Sequence, residues 1–215
     1  MENIFQVVLI SIVQGITEFL PVSSSAHINL LTTLFGFKEH ELLINISAHI
    51  GSLFAVVFFF KKEIINFGKN KKLFLRVILA SIPLFFFGYI AINFNLNPGL
   101  RTFKVIGWTT IVFGLLLYFA DKFKTKLNIT KNFTTKNALI IGLFQILALV
   151  PGVSRSGIII TGARLLNFRR EDAARISFLM SIPALAGTGL FGFYELITQK
   201  NSILNFSSIL TIFLS

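Results

Sequence analysis

Seven long apolar segments constrain the fold of this chain more than any other feature of its sequence. They cover residues 4–21, 42–60, 77–94, 105–120, 138–150, 176–197 and 203–214. A helix crosses the hydrocarbon core of a bilayer with about 20 mostly apolar residues, and backbone in lipid must satisfy its own hydrogen bonds. Only 13% of the residues are charged, against roughly 25% in soluble domains. We therefore predict an all-α, polytopic membrane protein.

The net charge of +11 does not indicate nucleic-acid binding, because the basic residues lie in short loops between apolar segments. Residues 61–76 carry six of them and residues 121–136 carry five. Lysine and arginine concentrate in the cytoplasmic loops of membrane proteins, so we predict that both loops are cytoplasmic. The absence of cysteine excludes disulfides and thiol chemistry. Residues 1–6 hold no lysine or arginine, so we expect no cleavable signal peptide.

An internal repeat spans most of the chain. Matching residues recur at an offset of 130 or 131: Gln14 and Gln145, Pro21 and Pro151, Ser24 and Ser154, Phe37 and Phe168, Ser47 and Ser177. Since no linker divides the sequence, we predict a single integral membrane domain over residues 1–215. Repeat one covers about 4–120 and repeat two about 138–215. By the same offset, repeat two should continue to about residue 250, so we expect it to be truncated.

The loop charges also predict how the two repeats are oriented. Segment 138–150 would be about 20 Å long as a helix, too short for a hydrocarbon layer of about 30 Å. If it enters the membrane and returns, the corner 164–175 with its four arginines stays cytoplasmic, and segments 38–41 and 95–104 lie outside. We therefore predict two inverted repeats, each with a Pro-broken re-entrant helical hairpin, whose breaks meet near the membrane midplane.

The first break concentrates polar residues inside an apolar segment. Gln14 and Glu18 are four residues apart and share a helix face. Pro21 ends the helix, and the next polar residues are Ser23, Ser24 and Ser25. An ionisable residue in a membrane segment indicates a functional site. The alternative is that Glu18 lies in the headgroup region.

Two histidines are candidates for the same site. His27 follows Ser24 by three residues, close enough on a helical turn to act as a base or an orienting group. His49 lies in an apolar segment and could reach the site, although a helix–helix hydrogen bond is the simpler interpretation.

The second break joins hydroxyls to a guanidinium. Ser154, Arg155 and Ser156 lie between Gly152 and Gly157, and glycines permit tight turns and close approach to a ligand. Arginine offers a planar fork of donors that suits phosphate. The alternative is an arginine that extends to the membrane surface.

Together the two breaks supply the groups that phosphoryl transfer needs: a nucleophile, a base and positive charge on the transferred oxygens. A carboxylate beside a phosphate repels it unless a cation joins them. Glu18 therefore predicts Mg²⁺ or Ca²⁺ as a cofactor. The 26 phenylalanines would face lipid or form a wall for an isoprenoid tail.

Residues 14–27 and 151–161 resemble the two signature motifs of the undecaprenyl-diphosphate phosphatase family, also called the bacitracin-resistance family, and residues 178–183 resemble a third block. The resemblance implies a multi-pass enzyme of the bacterial inner membrane. It would hydrolyse undecaprenyl diphosphate to the monophosphate and orthophosphate, recycling the lipid carrier for cell-wall synthesis. It also implies inverted repeats with re-entrant hairpins, and it leaves a homodimer open.

The resemblance implies a role for each residue of this sequence that matches a motif position. The family's essential residues match Glu18, Ser24, His27 and Arg155. Positions expected to contact the substrate match Gln14, Ser23, Ser154, Ser156 and Thr161. The sequence departs from the family's pattern at positions 25 and 26, where Ser-Ala replaces Thr-Gly, and in its shorter length.

Several hypotheses stay open from the sequence. Ser24 attacks the terminal phosphorus with His27 as base or orienting partner, or His27 is the nucleophile and Ser24 positions it. A polyprenyl-lipid transporter or flippase is the alternative from another class, since opposed broken helices suit alternating access. A phosphatase of the phosphatidic-acid type would need a histidine after its Ser-Arg motif, and no histidine follows His49.

Overall fold

The computed structural model describes residues 4–36, 41–94, 100, 102–123, 125–198 and 206–215. Within these ranges the chain is helical, and its only strand-like feature is a bridge between Leu127 and Phe168. This confirms the predicted all-α class. The helices are α1 (Ile4–Thr17), α2 (Ser24–Phe35), α3 (Glu41–Phe59), α4 (Lys61–Ile65), α5 (Phe67–Asn93), α6 (Phe103–Asp121), α7 (Ile129–Asn132), α8 (Thr135–Ile146), α9 (Arg155–Leu165), α10 (Arg170–Thr198) and α11 (Phe206–Leu214).

Three described helices are long and apolar enough to cross a membrane. They contain the stretches Asn70–Asn93 in α5, Phe103–Asp121 in α6 and Arg170–Tyr194 in α10. Large apolar side chains are exposed along them, among them Trp108 at 62% and Tyr89 at 68%. Soluble monomers rarely expose so large an apolar surface, so the fold fits a membrane protein.

The two motif-bearing helices of each repeat form hairpins. α1 contacts α2, and α8 contacts α9. The open end of the first hairpin is closed by the rings of Phe5 and Phe35, whose centroids are 6.4 Å apart. The open end of the second is closed by Phe133 and Phe168, also 6.4 Å apart. The first and last residues of each hairpin therefore lie at the same end of that hairpin.

The three basic loops meet at one end of the molecule. Arg175 of α10 donates to the Glu63 carboxylate of α4 at 2.8 Å. Arg76 of α5 donates to the Phe133 carbonyl at 2.6 Å. Arg164 donates to the Asp121 carboxylate at 2.9 Å. These contacts join segments 61–76, 121–136 and 164–175, which the sequence predicts on one membrane side. The segments predicted opposite them, 38–41 and 95–104, lie largely outside the described residues.

The main core lies where α3, α5, α8, α9 and α10 pack together. Its fully buried side chains include Ile141, Ile159 and Leu179. Gly142 of α8 lies against the backbone of Ala80 in α5, so close that a methyl group there would collide with it. The small residue therefore sets the distance between these two helices.

Helix boundaries and contacts recur with the spacing seen in the sequence. α1 and α8 start 131 residues apart, as do α2 and α9. α5 packs on α8 as α11 packs on α1, and α10 packs on α5 as α11 packs on α3. Some predicted segments were too short, since segment 77–94 belongs to a helix that begins at Phe67. Segment 203–214 is described only from Phe206 onward.

Candidate active site

The two polar breaks of the sequence are in contact. Ser156 Oγ donates to the Leu20 carbonyl at 2.6 Å, and Ser154 Oγ donates to the same oxygen at 3.4 Å. Leu20 lies between α1 and α2, whereas both serines begin α9. The hydroxyls of one motif therefore bind a backbone carbonyl of the other, which also accepts from Val22 N at 2.8 Å, and this fixes the breaks against each other.

Helix α6 holds the second break in place. Thr109 Oγ1 donates to the Pro151 carbonyl at 2.7 Å, and Thr110 Oγ1 donates to the Gly152 carbonyl at 3.1 Å. Gly152 has φ 89°, a left-handed conformation that favours glycine. A Cβ at this position would also collide with Thr109. Ser154 then caps α9 by accepting from Gly157 N at 3.1 Å.

Glu18 is the centre of the site. Its Oε2 accepts from Ser24 Oγ at 2.7 Å and from Gln14 Nε2 at 2.8 Å. Its Oε1 accepts from Nη2 of Arg155. The Glu18 side chain is 4% exposed. A carboxylate so deeply buried must be paired and hydrogen-bonded, and here a cation from the other hairpin and two neutral donors do this.

Arg155 keeps spare donors on the open side of this pair. Its side chain is 17% exposed, more than that of Glu18, and it lines a cavity together with Glu18 and Ser24. A guanidinium has five N–H donors, and Glu18 is its sole bonded partner among the described residues. Arg155 can therefore bind a second anion without leaving the carboxylate.

Ser23 and His27 lie differently from Ser24. Ser23 is buried, has φ 58°, and its Oγ is 3.3 Å from Ser25 Oγ. It lines the cavity. His27 is exposed, and its Nδ1 is 2.9 Å from the Ser23 carbonyl oxygen. The imidazole is therefore engaged with its own helix, and the Ser24 hydroxyl has Glu18 as its acceptor instead.

The remaining residues predicted to contact the substrate differ in whether they face the cavity or bind the backbone. Ser154 lines the cavity. Ser156 is directed at Leu20, and Thr161 Oγ1 donates to the Gly157 carbonyl at 2.7 Å inside α9. The structure thus joins Gln14, Glu18, Ser24 and Arg155 through direct contacts, while Ser156 and Thr161 satisfy backbone.

A divalent cation fits this site only in part. The described residues contain no group of three or more His, Asp or Glu side chains that could hold a metal, and Glu18 already accepts three hydrogen bonds. Gln14 Oε1, however, is buried and has no partner among the described residues. Mg²⁺ binds through one or two protein oxygens when substrate phosphates supply the rest. Glu18 and Gln14 carry oxygens that could take that role, although Gln14 is buried and does not line the cavity.

The cavity measures about 790 Å³, and most of its wall is apolar. Its apolar arm lies between α5 and α10, where Phe85, Gly88, Gly187 and Phe191 face each other. Volumes of roughly 300–1,000 Å³ are usual for small-molecule sites. The polar end and apolar arm together suit an amphipathic ligand.

Sequence reasoning undervalued one residue of this cavity. His49 of α3 lines it, and its Nδ1 is 2.7 Å from the Asn45 carbonyl oxygen. Because Nδ1 must donate to this carbonyl, Nε2 is the ring nitrogen that is left for the cavity. Glu18 interacts electrostatically with Arg155 and His49. The signal in the sequence was a histidine within an apolar segment. Tyr89 and Tyr194 also line the cavity and carried no such signal.

These features define a helical membrane protein with a buried serine–carboxylate–arginine site. Residues 7–215 match the family described as bacitracin resistance protein BacA, and the chain belongs to that family. A relative from Pelagibacter ubique is 47% identical over the whole chain and 84% of its own length. One from Saccharophagus degradans is 43% identical over 93% of the chain and 79% of its own length. Both relatives are named undecaprenyl-diphosphatase. The resemblance stated from the motifs is confirmed.

Proposed function

We propose that this protein hydrolyses undecaprenyl diphosphate to undecaprenyl phosphate and orthophosphate in the bacterial inner membrane, returning the lipid carrier to cell-wall synthesis. The observation that carries the proposal is the hydrogen bond from Ser24 Oγ to Glu18, which is itself paired with Arg155 at the head of an apolar cavity. The name of the relatives agrees with it. A transporter for polyprenyl lipids is less well supported, because transport needs no such activated hydroxyl.

In the first step, Ser24 Oγ attacks the terminal phosphorus of the diphosphate. The Oγ–P bond forms while the bond from phosphorus to the bridging oxygen breaks, and lipid monophosphate leaves with that oxygen. The hydroxyl proton moves to Glu18 Oε2, 2.7 Å away. A general base must lie within about 2.6–3.2 Å of the atom that it deprotonates, and Glu18 meets this condition.

In the second step, water attacks the phosphoserine. The bond from the water oxygen to phosphorus forms as the Oγ–P bond breaks, Glu18 returns its proton to Oγ, and the water oxygen leaves with both of its protons as part of orthophosphate. Ser24 and Glu18 are then in their starting states, so the two steps balance.

Arg155 would stabilise the phosphoryl oxygens in both steps. Its spare donors face the cavity, and a guanidinium pairs with phosphate through parallel hydrogen bonds. Charge stabilisation of this kind is worth most where water is excluded. Glu18 would keep Arg155 oriented until the substrate arrives.

The two histidines have distinct proposed roles. The prediction that His27 is the base, or the nucleophile, stays a prediction, although its ring is exposed and Nδ1 is bound within α2. The contact geometry favours Glu18 as the base. His49 would present Nε2 to the cavity and, as an imidazolium whose ring nitrogens both donate, would donate to an oxygen of the substrate's diphosphate.

The apolar arm would hold the first isoprene units of the tail. Phe85, Phe191 and Leu84 supply its wall, Gly88 leaves space on α5, and the Phe85 ring packs directly against Gly187 of α10. The tail would move there from lipid and not from water, so van der Waals packing against these side chains would supply its affinity. The proposal therefore places the reacting diphosphate beside Glu18 and the tail between α5 and α10.

We also retain the proposal of Mg²⁺ or Ca²⁺ as a cofactor. Glu18 and the unpartnered Oε1 of Gln14 are the residues that would hold it. Such an ion would neutralise charge on the diphosphate oxygens. Ser23 and Ser154, both on the cavity wall, would contact the same group.

For the fold, we propose a single domain of two inverted repeats with re-entrant hairpins. Its support is threefold: α1 and α8 are shorter than the roughly 20 residues needed to span, each hairpin closes on itself through a Phe–Phe contact, and the basic loops share one end. A homodimer is the proposed assembly. Only 6% of the apolar window of α6 is buried, which leaves a face that a second copy could cover.

The decisive experiment is orthophosphate release by purified protein in detergent, with undecaprenyl diphosphate as substrate. The proposal requires release by the wild-type chain and its loss in Arg155→Gln. Absence of release from protein that is folded by circular dichroism, together with movement of labelled lipid in vesicles, would instead identify a transporter.

A further inference from the structure

A second cavity lies at the basic end of the molecule, away from Glu18. It measures about 750 Å³ and is lined by Phe123, Thr125, Lys126, Arg164, Arg169, Arg170 and Glu171. None of these residues belongs to the proposed active site. The cavity is formed by the chain after α6 and by the corner between α9 and α10.

The cavity lies at the ends of two helices that are long and apolar enough to cross a membrane. The apolar stretch of α6 ends at Asp121, and the apolar stretch of α10 begins at Arg170. Both residues are joined at this corner, because Arg170 Nη2 donates to Asp121 Oδ2 at 2.5 Å. Two membrane-crossing helices therefore reach the membrane surface at the same place, with the cavity between their ends.

Positive charge in this cavity exceeds what its acidic neighbours compensate. Arg164 and Arg170 both pair with Asp121. Lys126 and Arg169 are exposed and have no bonded side-chain partner among the described residues, and Glu171 is the acidic residue on the wall. Basic residues that serve only to orient a membrane protein have no need to line a cavity together.

The backbone holds the unpaired cations in position. Arg164 is 2% exposed and donates to the carbonyls of Phe168 and Asp121, each at 2.6 Å. Lys126 N donates to the Asn167 carbonyl at 3.0 Å, and Arg169 N donates to the Leu127 carbonyl at 3.1 Å. Lys126 and Arg169 thus extend from two segments that hydrogen bonds lock together.

From this geometry we propose that the cavity binds the phosphate headgroup of an anionic membrane phospholipid, with Lys126 and Arg169 as its direct ligands. Basic pockets between membrane helices at the cytoplasmic surface suit such headgroups. Arginine supplies a planar fork and lysine a mobile point charge. The lipid's acyl chains would lie along the exposed surfaces of α6 and α10.

The test compares lipid binding by the full chain and by charge variants in detergent. Phosphatidylglycerol and phosphatidylcholine are titrated separately, with bound lipid counted by native mass spectrometry. Lys126→Gln/Arg169→Gln should bind phosphatidylglycerol about thirtyfold more weakly, the factor for two basic side chains at a lipid surface. Lys71→Gln/Lys72→Gln is the matched control, since it loses the same charge at the start of the α5 span.

Charge-preserving Lys126→Arg/Arg169→Lys should retain binding, which separates loss of charge from loss of folding. Equal binding of phosphatidylcholine by the wild type would overturn the proposal. So would an undiminished affinity of the Gln variant for phosphatidylglycerol, or an equal loss in the control. Inorganic phosphate alone is the last arm. If it displaces phosphatidylglycerol fully at millimolar concentration, the site takes free phosphate, and the lipid assignment is wrong.

Discussion

Replacing Ser24 by alanine tests the proposed chemistry most directly. The change removes the attacking oxygen and one of the three hydrogen bonds that Glu18 accepts. Loss of a hydrogen bond to a charged group costs about 1.5–3 kcal/mol. Typical proteins have roughly 5–15 kcal/mol of stability, and the Arg155 and Gln14 contacts to Glu18 remain. Ser24→Ala should therefore fold.

Its turnover should nevertheless collapse. Removing the nucleophile of a hydrolase lowers kcat by up to about 10⁶-fold, and we expect at least about 10³-fold here. The assay is orthophosphate release at saturating substrate, with circular dichroism on the same sample. Wild-type protein quenched in acid during turnover should carry phosphate on Ser24, identified by mass spectrometry of the peptide.

Ser25→Ala is the matched control for this variant. Ser25 also lines the cavity, but its Oγ lies 3.3 Å from Ser23 Oγ and does not contact Glu18. Its replacement should change turnover by about twofold at most, as for a surface substitution. If Ser24→Ala kept near-normal turnover, Ser24 would not be the nucleophile. Phosphate found on His27 would assign that role to the histidine.

Three further predictions follow from the cavity, the cation and the loops. Gly88→Phe should fill the apolar arm, since a Cβ there meets only Leu149 at 3.7 Å. It should lower kcat/KM for undecaprenyl diphosphate far more than for a short-chain diphosphate. Gly107→Phe on exposed α6 is the control. EDTA should abolish activity and Mg²⁺ or Ca²⁺ restore it, with Glu18→Gln weakening both; activity untouched by chelation would exclude the metal. Cysteines at positions 70, 128 and 167 should react with an impermeant maleimide only after permeabilisation, and labelling of position 167 in intact cells would refute the proposed topology.

The sequence predicted the convergence of the site for a physical reason. Glu18 and Arg155 each lie in apolar surroundings where an isolated charge is costly, and the repeat places the two breaks that carry them at equivalent points of the two copies. Opposite charges at equivalent breaks are expected to meet, and the structure joins them directly. The presence of helices was also predictable, because an apolar segment of this length has few other ways to satisfy its backbone hydrogen bonds in lipid.

The contacts that individual side chains of the site make could not be predicted from their spacing in the sequence. His27 is three residues after Ser24, which places both near one helix face, yet its exposure depends on what packs against α2. His49 is 31 positions from Glu18 in sequence and reaches the cavity only through the packing of α3. Thr161 was selected as a polar residue near the motif, but a threonine in a helix can satisfy its hydroxyl on the carbonyl four residues earlier, as it does here. Such choices depend on tertiary contacts that no local pattern contains.

The Glu18–Arg155 pair joins the two hairpins and would link assembly of the fold to the proposed catalysis. Neither hairpin contains a bonded counterion for its own charge among the described residues, so each is incomplete without the other. Breaking a buried pair by removing one partner costs about 3–5 kcal/mol, because the other charge is left uncompensated. In the proposed mechanism, an arriving diphosphate would offer Arg155 a second anion and would lie beside Glu18. In that mechanism the same contact would stabilise the resting protein and hold Glu18 beside the Ser24 hydroxyl.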